Sequence, residues 1–291
     1  KLINKPNKKG FTPLDYAVQY GHKEIVEALL NSVNKSDRLK LINKASNDGY
    51  TLLHIAAIDG SEEIVEVLLK FVNKNYRLEL INQADKKGST SLHYAAAEGH
   101  KKTVEVLLNS VNKSDRLKLI NKADKKGCTS LILAAKNGYE EGSKETVEVL
   151  LSSVDENDRL KLIDKGDFYG DTSLHCASIK GHADTAKLLL DRKADVNIAN
   201  TYGTTPLHIA AESGHADIAE LLLAANANPN QPAAHGITPL FAASQNGHAD
   251  IANLLLDRGA EPNQARSDDS ATPLYIAAEN GHADIAKLLL E

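Results

Sequence analysis

Apolar residues along this chain come in short bursts at helical spacing, and the bursts come in pairs. In residues 203–223, Leu207, Ile209, Ala210 and Ala211 form one burst and Ile218, Leu221, Leu222 and Leu223 the next. Thr205 is suited to cap a helix, and Pro206 to its first turn, where a missing N–H costs nothing. Gly214 suits the left-handed conformation that closes a helix. The pattern predicts a first helix from Pro206 and a second over Asp217–Leu223, with Ile218, Leu221 and Leu222 on its buried side. Ala210 and Ala211 are small enough for neighbouring helices to pack closely.

The pattern GxTPLHxAAxxGHxxIAxLLL recurs in eight copies, some of them weak. Gly10, Gly49, Gly88, Gly127, Gly170, Gly203 and Gly236 open the first seven, and Ser270 stands in that place in the eighth. The spacings are 39, 39, 39, 43, 33, 33 and 34 residues. Repeats of this kind pack on their neighbours and usually serve binding. The motif resembles the ankyrin repeat over nearly the whole chain. The resemblance implies an all-α ankyrin-repeat solenoid of eight helix–turn–helix units with hairpin fingers. The near-identical GHADIAKLLL segments are similar to ankyrin arrays of intracellular bacteria and symbionts, which implies a host protein as partner.

The first four units are longer, and the excess has a pattern of its own. Asn34 to Asn43 reads NKSDRLKLIN, and its Arg-Leu-x-Leu-Ile core returns near residues 77, 116 and 159. A polar cap followed by these residues predicts short helices over 37–42, 76–81, 115–120 and 158–163, with Leu39, Leu78, Leu117 and Leu160 buried. The fourth unit has four further residues, placed within Tyr139–Lys144 between its two helices. Proline is absent from the TPLH position at Leu52, Ser91, Ser130 and Ser173. We expect residues 1–169 to form elongated repeats and 170–291 standard ones, in one continuous solenoid. Lys1–Lys5 matches Lys118–Lys122, and the chain stops at a second helix, so we expect a segment excised from a longer protein.

Charge divides at the same place. Residues 1–170 carry 27 Lys+Arg against 24 Asp+Glu, and residues 171–291 carry 7 against 15, a net of +3 against −8. With 42% hydrophobic and 25% charged residues the chain suits a folded protein. No apolar run reaches the roughly 18 residues of a membrane span, and no signal-peptide pattern opens the sequence. Two cysteines exclude a disulfide framework and fit a reducing, cytoplasmic setting, or delivery into a host cell.

Histidine is the most frequent chemistry-bearing residue, with eleven copies. His54, His93, His175 and His208 fill the TPLH slot; His22, His100, His182, His215, His248 and His282 follow the internal glycine. One per repeat, they cannot converge as metal ligands must, and the resemblance makes them structural. His235 lies outside the pattern, at an expected solvated fingertip. Cys128 follows Gly127 and is expected at an exposed fingertip; Cys176 takes an apolar helix position and is expected to be buried. No phosphate loop, nucleophile elbow or dinucleotide fingerprint is present. The chain therefore reads as non-catalytic, with no cofactor, metal, small-molecule substrate or membrane called for.

The binding face follows from the slots that vary while the frame around them does not. These are the two residues before each opening glycine, the one after it, and the two before the internal glycine. In ankyrin proteins such slots line the concave groove. Here they hold Phe11, Tyr20, Tyr50, Ile58, Phe168, Tyr169, Ile179, Tyr202 and Ile237. Aromatics in exposed slots are typical interface anchors. The lysine pairs Lys8-Lys9, Lys86-Lys87 and Lys125-Lys126 share one fingertip position and suit an acidic protein patch better than nucleic acid. The leading reading is a protein-interaction scaffold; the alternative is the targeting arm of a larger bacterial effector, toxin or enzyme.

Overall fold

A computed structural model describes residues 3, 5–8, 11–137 and 140–291, with the backbone alone for 140–142. The described residues hold twenty α-helices and no strand, only an isolated bridge between Ala123 and Thr129. The chain divides into two compact units, Lys1–Arg159 and Leu160–Glu291.

Unit one runs α1 (Pro13–Gln19), α2 (Lys23–Asn31), α3 (Lys35–Ile42), α4 (Leu52–Asp59), α5 (Glu62–Lys70) and α6 (Lys74–Asn82). It continues with α7 (Ser91–Ala97), α8 (Lys101–Asn109), α9 (Lys113–Ile120), α10 (Ser130–Asn137) and α11 (Glu140–Ser152), and the division falls within α12 (Glu156–Ile163). Unit two holds α13 (Ser173–Lys180), α14 (Ala183–Asp191), α15 (Pro206–Ser213), α16 (Ala216–Ala224), α17 (Pro239–Asn246), α18 (Ala249–Asp257), α19 (Pro273–Glu279) and α20 (Ala283–Leu290).

Within each unit the helices form two rows. First helices touch first helices, α1 to α4 to α7 to α10 and α13 to α15 to α17 to α19. Second helices touch likewise, α2 to α5 to α8 to α11 and α14 to α16 to α18 to α20. The first row packs through alanine pairs such as Ala56-Ala57, Ala95-Ala96 and Ala210-Ala211, all fully buried. Thr172, Thr205, Thr238 and Thr272 cap their helices by accepting a backbone N–H.

The TPLH histidines of α4, α7, α13 and α15 tie their helices to the following finger. In His208, Nδ1 accepts the Thr205 N–H at 3.2 Å and Nε2 donates to the Ile237 carbonyl at 3.0 Å. His54 and His175 reach Ser89 and Thr204 in the same way, at 3.1 and 3.0 Å. Burial lowers the pKa of all three and of His93, that of His208 to about 4, so the rings stay neutral. The histidines after the internal glycine have another job. His248 Nε2 donates to the Glu212 carbonyl of the preceding repeat at 3.2 Å, and its ring lies against Gly214. A Cβ on Gly214 would sit 2.6 Å from that ring, so the glycine both closes its own helix and makes room for the next histidine.

The insert helices form as expected at α3, α6, α9 and α12, with the isoleucine buried as expected, but the first leucine lies at the margin of the buried side rather than within it. Leu39, Leu78 and Leu117 are half-buried and Leu160 is 37% exposed. Ile42, Ile81, Ile120 and Ile163 are fully buried, with Leu80, Leu119 and Leu162 close behind. At about 100° per residue, the arginine, second leucine and isoleucine share one arc of roughly 100°, and the first leucine falls outside it. The arginine belongs to the inner face: Nε of Arg38, Arg116 and Arg159 donates to the carbonyls of Leu30, Leu108 and Leu151 at 2.8, 3.0 and 3.0 Å. Each satisfies a carbonyl that the end of a second helix leaves unpaired.

Two further expectations are corrected. The four extra residues of the fourth unit do not form a loop between helices; from Glu140 to Lys144 they lie in α11, which has 13 residues where α8 has 9. Four residues add about one turn, which keeps Val147, Leu150 and Leu151 facing the core. Tyr139 lies outside the described residues. Cys128 is buried, at 3% exposure, and its N–H donates to Asp124 Oδ1 at 2.9 Å. Cys176 is buried as expected, and His235 is exposed.

Candidate protein-binding surface

Between repeats the chain makes a tight finger whose shape is set by one side chain. Asp85 Oδ1 accepts the N–H groups of Lys87 and Ser89 at 2.8 and 2.9 Å, while Asp85 N donates to Ser89 O at 2.9 Å. Asp124, Asp167 and Asn200 bend their fingers the same way. Neighbouring fingers are then joined edge to edge. Lys86 N donates to Asp48 O at 3.0 Å and Lys125 N to Lys87 O at 2.9 Å. In unit two, Thr201 N donates to Tyr169 O, Ala234 N to Tyr202 O and Ser267 N to His235 O, all within 2.8–2.9 Å. A Cβ on Gly88 would stand 2.8 Å from Lys125 N, so this close approach needs glycine. Within each unit, fingertip side chains are thus carried on a row of mutually bonded turns.

In unit one this surface is basic at the tips and tied down behind them. Lys8, Lys86, Lys87, Lys125 and Lys126 are exposed. Lys9 lies outside the described residues. Lys86 has a loose partner in Asp48 at 4.0 Å, both mostly in solvent. Phe11 leans on Tyr16, which stacks on Tyr20 with centroids 6.1 Å apart, and Tyr20 and Ile58 are exposed. Tyr50 is half-buried: its hydroxyl meets that of Tyr94 at 3.0 Å, and Tyr94 donates to Asp85 Oδ2 at 2.6 Å. Burial and the bond to Asp85 push the Tyr94 phenol up. Burial acts to raise the Asp85 carboxyl too, but the bonds from Tyr94, Ser89 and Lys87 outweigh it and hold it below the ordinary carboxylate range.

In unit two the fingertip aromatic rings are exposed. Phe168 is 71% exposed, Tyr169 and Tyr202 are more than half exposed, and the two tyrosine rings stack with centroids 6.5 Å apart. Ile179 is exposed on α13. Ile237 is only partly so, because it packs on Phe241, Ala271 and Ile276. The structure therefore brings Tyr169 and Tyr202 together and leaves Tyr50 and Ile237 as partly structural residues.

Sequence reasoning missed Tyr16 and Tyr94, whose slot after the TPLH position turns toward the fingers, and Tyr275, exposed in the histidine slot of α19. Their signal was an aromatic where the repeat carries another residue type. It also missed a recess of about 210 Å³ behind Tyr202 and Ile237. Among the described residues no group of three or more His, Cys, Asp or Glu is placed to hold a metal ion, and no helix is long and apolar enough to cross a membrane.

A family model described as ankyrin repeats, three copies, matches residues 35–117, 78–159, 116–200, 140–233 and 225–291. A second, described as ankyrin repeat, matches residues 9–38. No curated relative matches the chain.

Proposed function

The chain belongs to the ankyrin-repeat family, and from that premise we propose that it is a non-catalytic scaffold gripping a protein partner along its fingertips and first helices. Ankyrin repeats are in general protein–protein interaction modules and in general non-catalytic. The observation that carries the finer reading is the Tyr169–Tyr202 stack: two exposed rings on fingers joined by the bond from Thr201 N to Tyr169 O. Rings held in place by a rigid backbone lose little freedom on binding, which favours them as anchors. With Phe168 beside them they form the apolar centre of the site. Lys8, Lys9, Lys86, Lys87, Lys125 and Lys126 steer an acidic patch on the partner, a host protein in this reading, and Phe11, Tyr20, Tyr50, Ile58, Ile179 and Ile237 complete the contact. Residues 1–169 and 170–291 are its elongated and standard blocks. Two buried cysteines, neither in a disulfide, support a reducing compartment.

The test is capture of a partner from host lysate, followed by titration of variants at two salt concentrations. Tyr169→Ala and Tyr202→Ala weaken binding at both, while Lys86→Ala with Lys87→Ala weakens it chiefly at low salt. Unchanged affinity in folded tyrosine variants sinks the assignment. The near-identical GHADIA segments also support a second reading, the targeting arm of a bacterial effector, toxin or enzyme. Its test is whether the polypeptide carries a catalytic motif outside these 291 residues.

A further inference from the structure

The recess in unit two exists because small residues stand where other repeats carry large ones. Ala242 of α17 takes the slot that Tyr94, Leu133, Ile209 and Ile276 fill in other copies. Ala234 takes the fingertip place of Lys86, Lys125 and Phe168. The resulting space, about 210 Å³, is walled by Tyr202 and by Ile237, which its packing on Phe241 holds in place. Glu212, Gln245 and Asn246 line it as well. No described residue pairs with the Glu212 carboxylate, and no lysine or arginine lines the recess. Residues 171–291 carry 7 basic against 15 acidic side chains, so the wider field is negative too.

We propose that this recess receives an arginine side chain of the protein partner, its guanidinium lying against the Tyr202 ring and forked onto the Glu212 carboxylate. The inference rests on the groove reading above and names the chemistry at one point of it. Unit two already builds such an arrangement from its own residues. Arg266 lies over the Phe241 ring, 5.5 Å from its centroid, and its Nε donates to Asp268 Oδ1 at 3.0 Å. A planar guanidinium satisfies a ring face and a carboxylate at once, which a lysine ammonium does less well. An apolar side chain would strip water from Glu212 without replacing its hydrogen bonds, and an acidic one would meet its charge.

The experiment is selection of displayed random peptides on the intact chain, followed by anisotropy titration of those enriched. The expected result is an arginine at a fixed position. Its replacement by lysine weakens binding several-fold, and by citrulline or leucine at least about tenfold. Glu212→Gln weakens the arginine peptide to a similar degree. Ala242→Leu, which fills the recess with the residue that slot holds at Leu133, removes binding. Thermal melts check that both variants fold. Peptides that depend on Tyr169 but need no arginine, or that ignore Glu212→Gln and Ala242→Leu, overturn the inference and leave the groove reading standing. Peptides that ignore Tyr169→Ala as well, or no enrichment at all, overturn both.

Discussion

Units one and two end their second helices in different ways. In unit one the chain runs on into an insert helix, and an arginine from that insert donates to the open carbonyl of Leu30, Leu108 or Leu151. Unit two has no such insert after α14, α16 or α18, and the chain turns at Lys193, Asn226 and Gly259, with φ of 69°, 65° and 83°. The next N–H, on Ala194, Ala227 or Ala260, then donates back to Leu189, Leu222 or Leu255 at 2.9–3.0 Å. One unit closes the helix with a side chain, the other with a left-handed backbone residue. The same helix pair therefore fits repeats of 39 and of 33 residues, because the extra residues supply the cap they displace. The surfaces differ in parallel: Tyr50 and Tyr94 of unit one are tied to Asp85 behind lysine fingertips, while Tyr169 and Tyr202 of unit two stand exposed.

The largest effect that sharpens this contrast is in the insert core. Ile120→Ala is expected to cost about 2–5 kcal/mol, and Leu117→Ala clearly less, measured by urea unfolding. Equal losses would contradict the assigned inner face. Acid comes next. A proton binds the unfolded imidazole of His208 more readily than the folded one, so stability is full above about pH 6.5 and drains as pH falls toward about 4. The loss at that site is on the order of 3 kcal/mol. His208→Phe, which copies Phe241 in the same slot of α17, forfeits the bond to Ile237 but makes the pH profile shallower by that site's share, with His54, His93 and His175 still contributing. A profile as steep as the parent's would point to other groups.

Smaller changes probe the two caps directly. Arg116→Ala is expected to cost about 1–3 kcal/mol, because the Leu108 carbonyl loses its donor. Arg77 in α6 has a buried Nε without a hydrogen-bond partner, so Arg77→Ala costs less. In unit two, Lys193→Gly is expected to stabilise by up to about 1 kcal/mol by relieving a left-handed side-chain residue, as Gly259 already does. A destabilised Lys193→Gly variant would mean that the Lys193 side chain, not the backbone, holds that turn.

The repeat made the helix pairs and their caps legible, because each is written in residues one or two turns apart; the structural role of the histidines came from the ankyrin resemblance, since bonds such as that from His208 to Ile237 cross to another repeat. The inner face of the inserts was misread because three apolar residues in Arg-Leu-x-Leu-Ile cannot share one face of a helix, and arginine was counted as polar. The added turn of α11 escaped because Gly142 within Glu140–Lys144 reads as a loop, while four residues preserve helical phase. At the candidate surface, exposure of Phe168, Tyr169 and Tyr202 agreed with their slots. The burial of Tyr50 did not, since it depends on Tyr94, 44 residues on. The recess at Ala242 is a missing side chain, and an absence shows only when neighbouring repeats are stacked around it.

The central claim is that partners are held by the fingers and first helices rather than by the second helices or the inserts. Hydrogen–deuterium exchange on the intact chain, free and saturated with a captured partner, tests it most directly. The account predicts slowed exchange at the finger amides of Thr201 and Ala234, which donate to Tyr169 and Tyr202, and along α13 and α15. Protection confined to α3, α6 and α9 or to the second helices, with these finger amides unchanged, would contradict it.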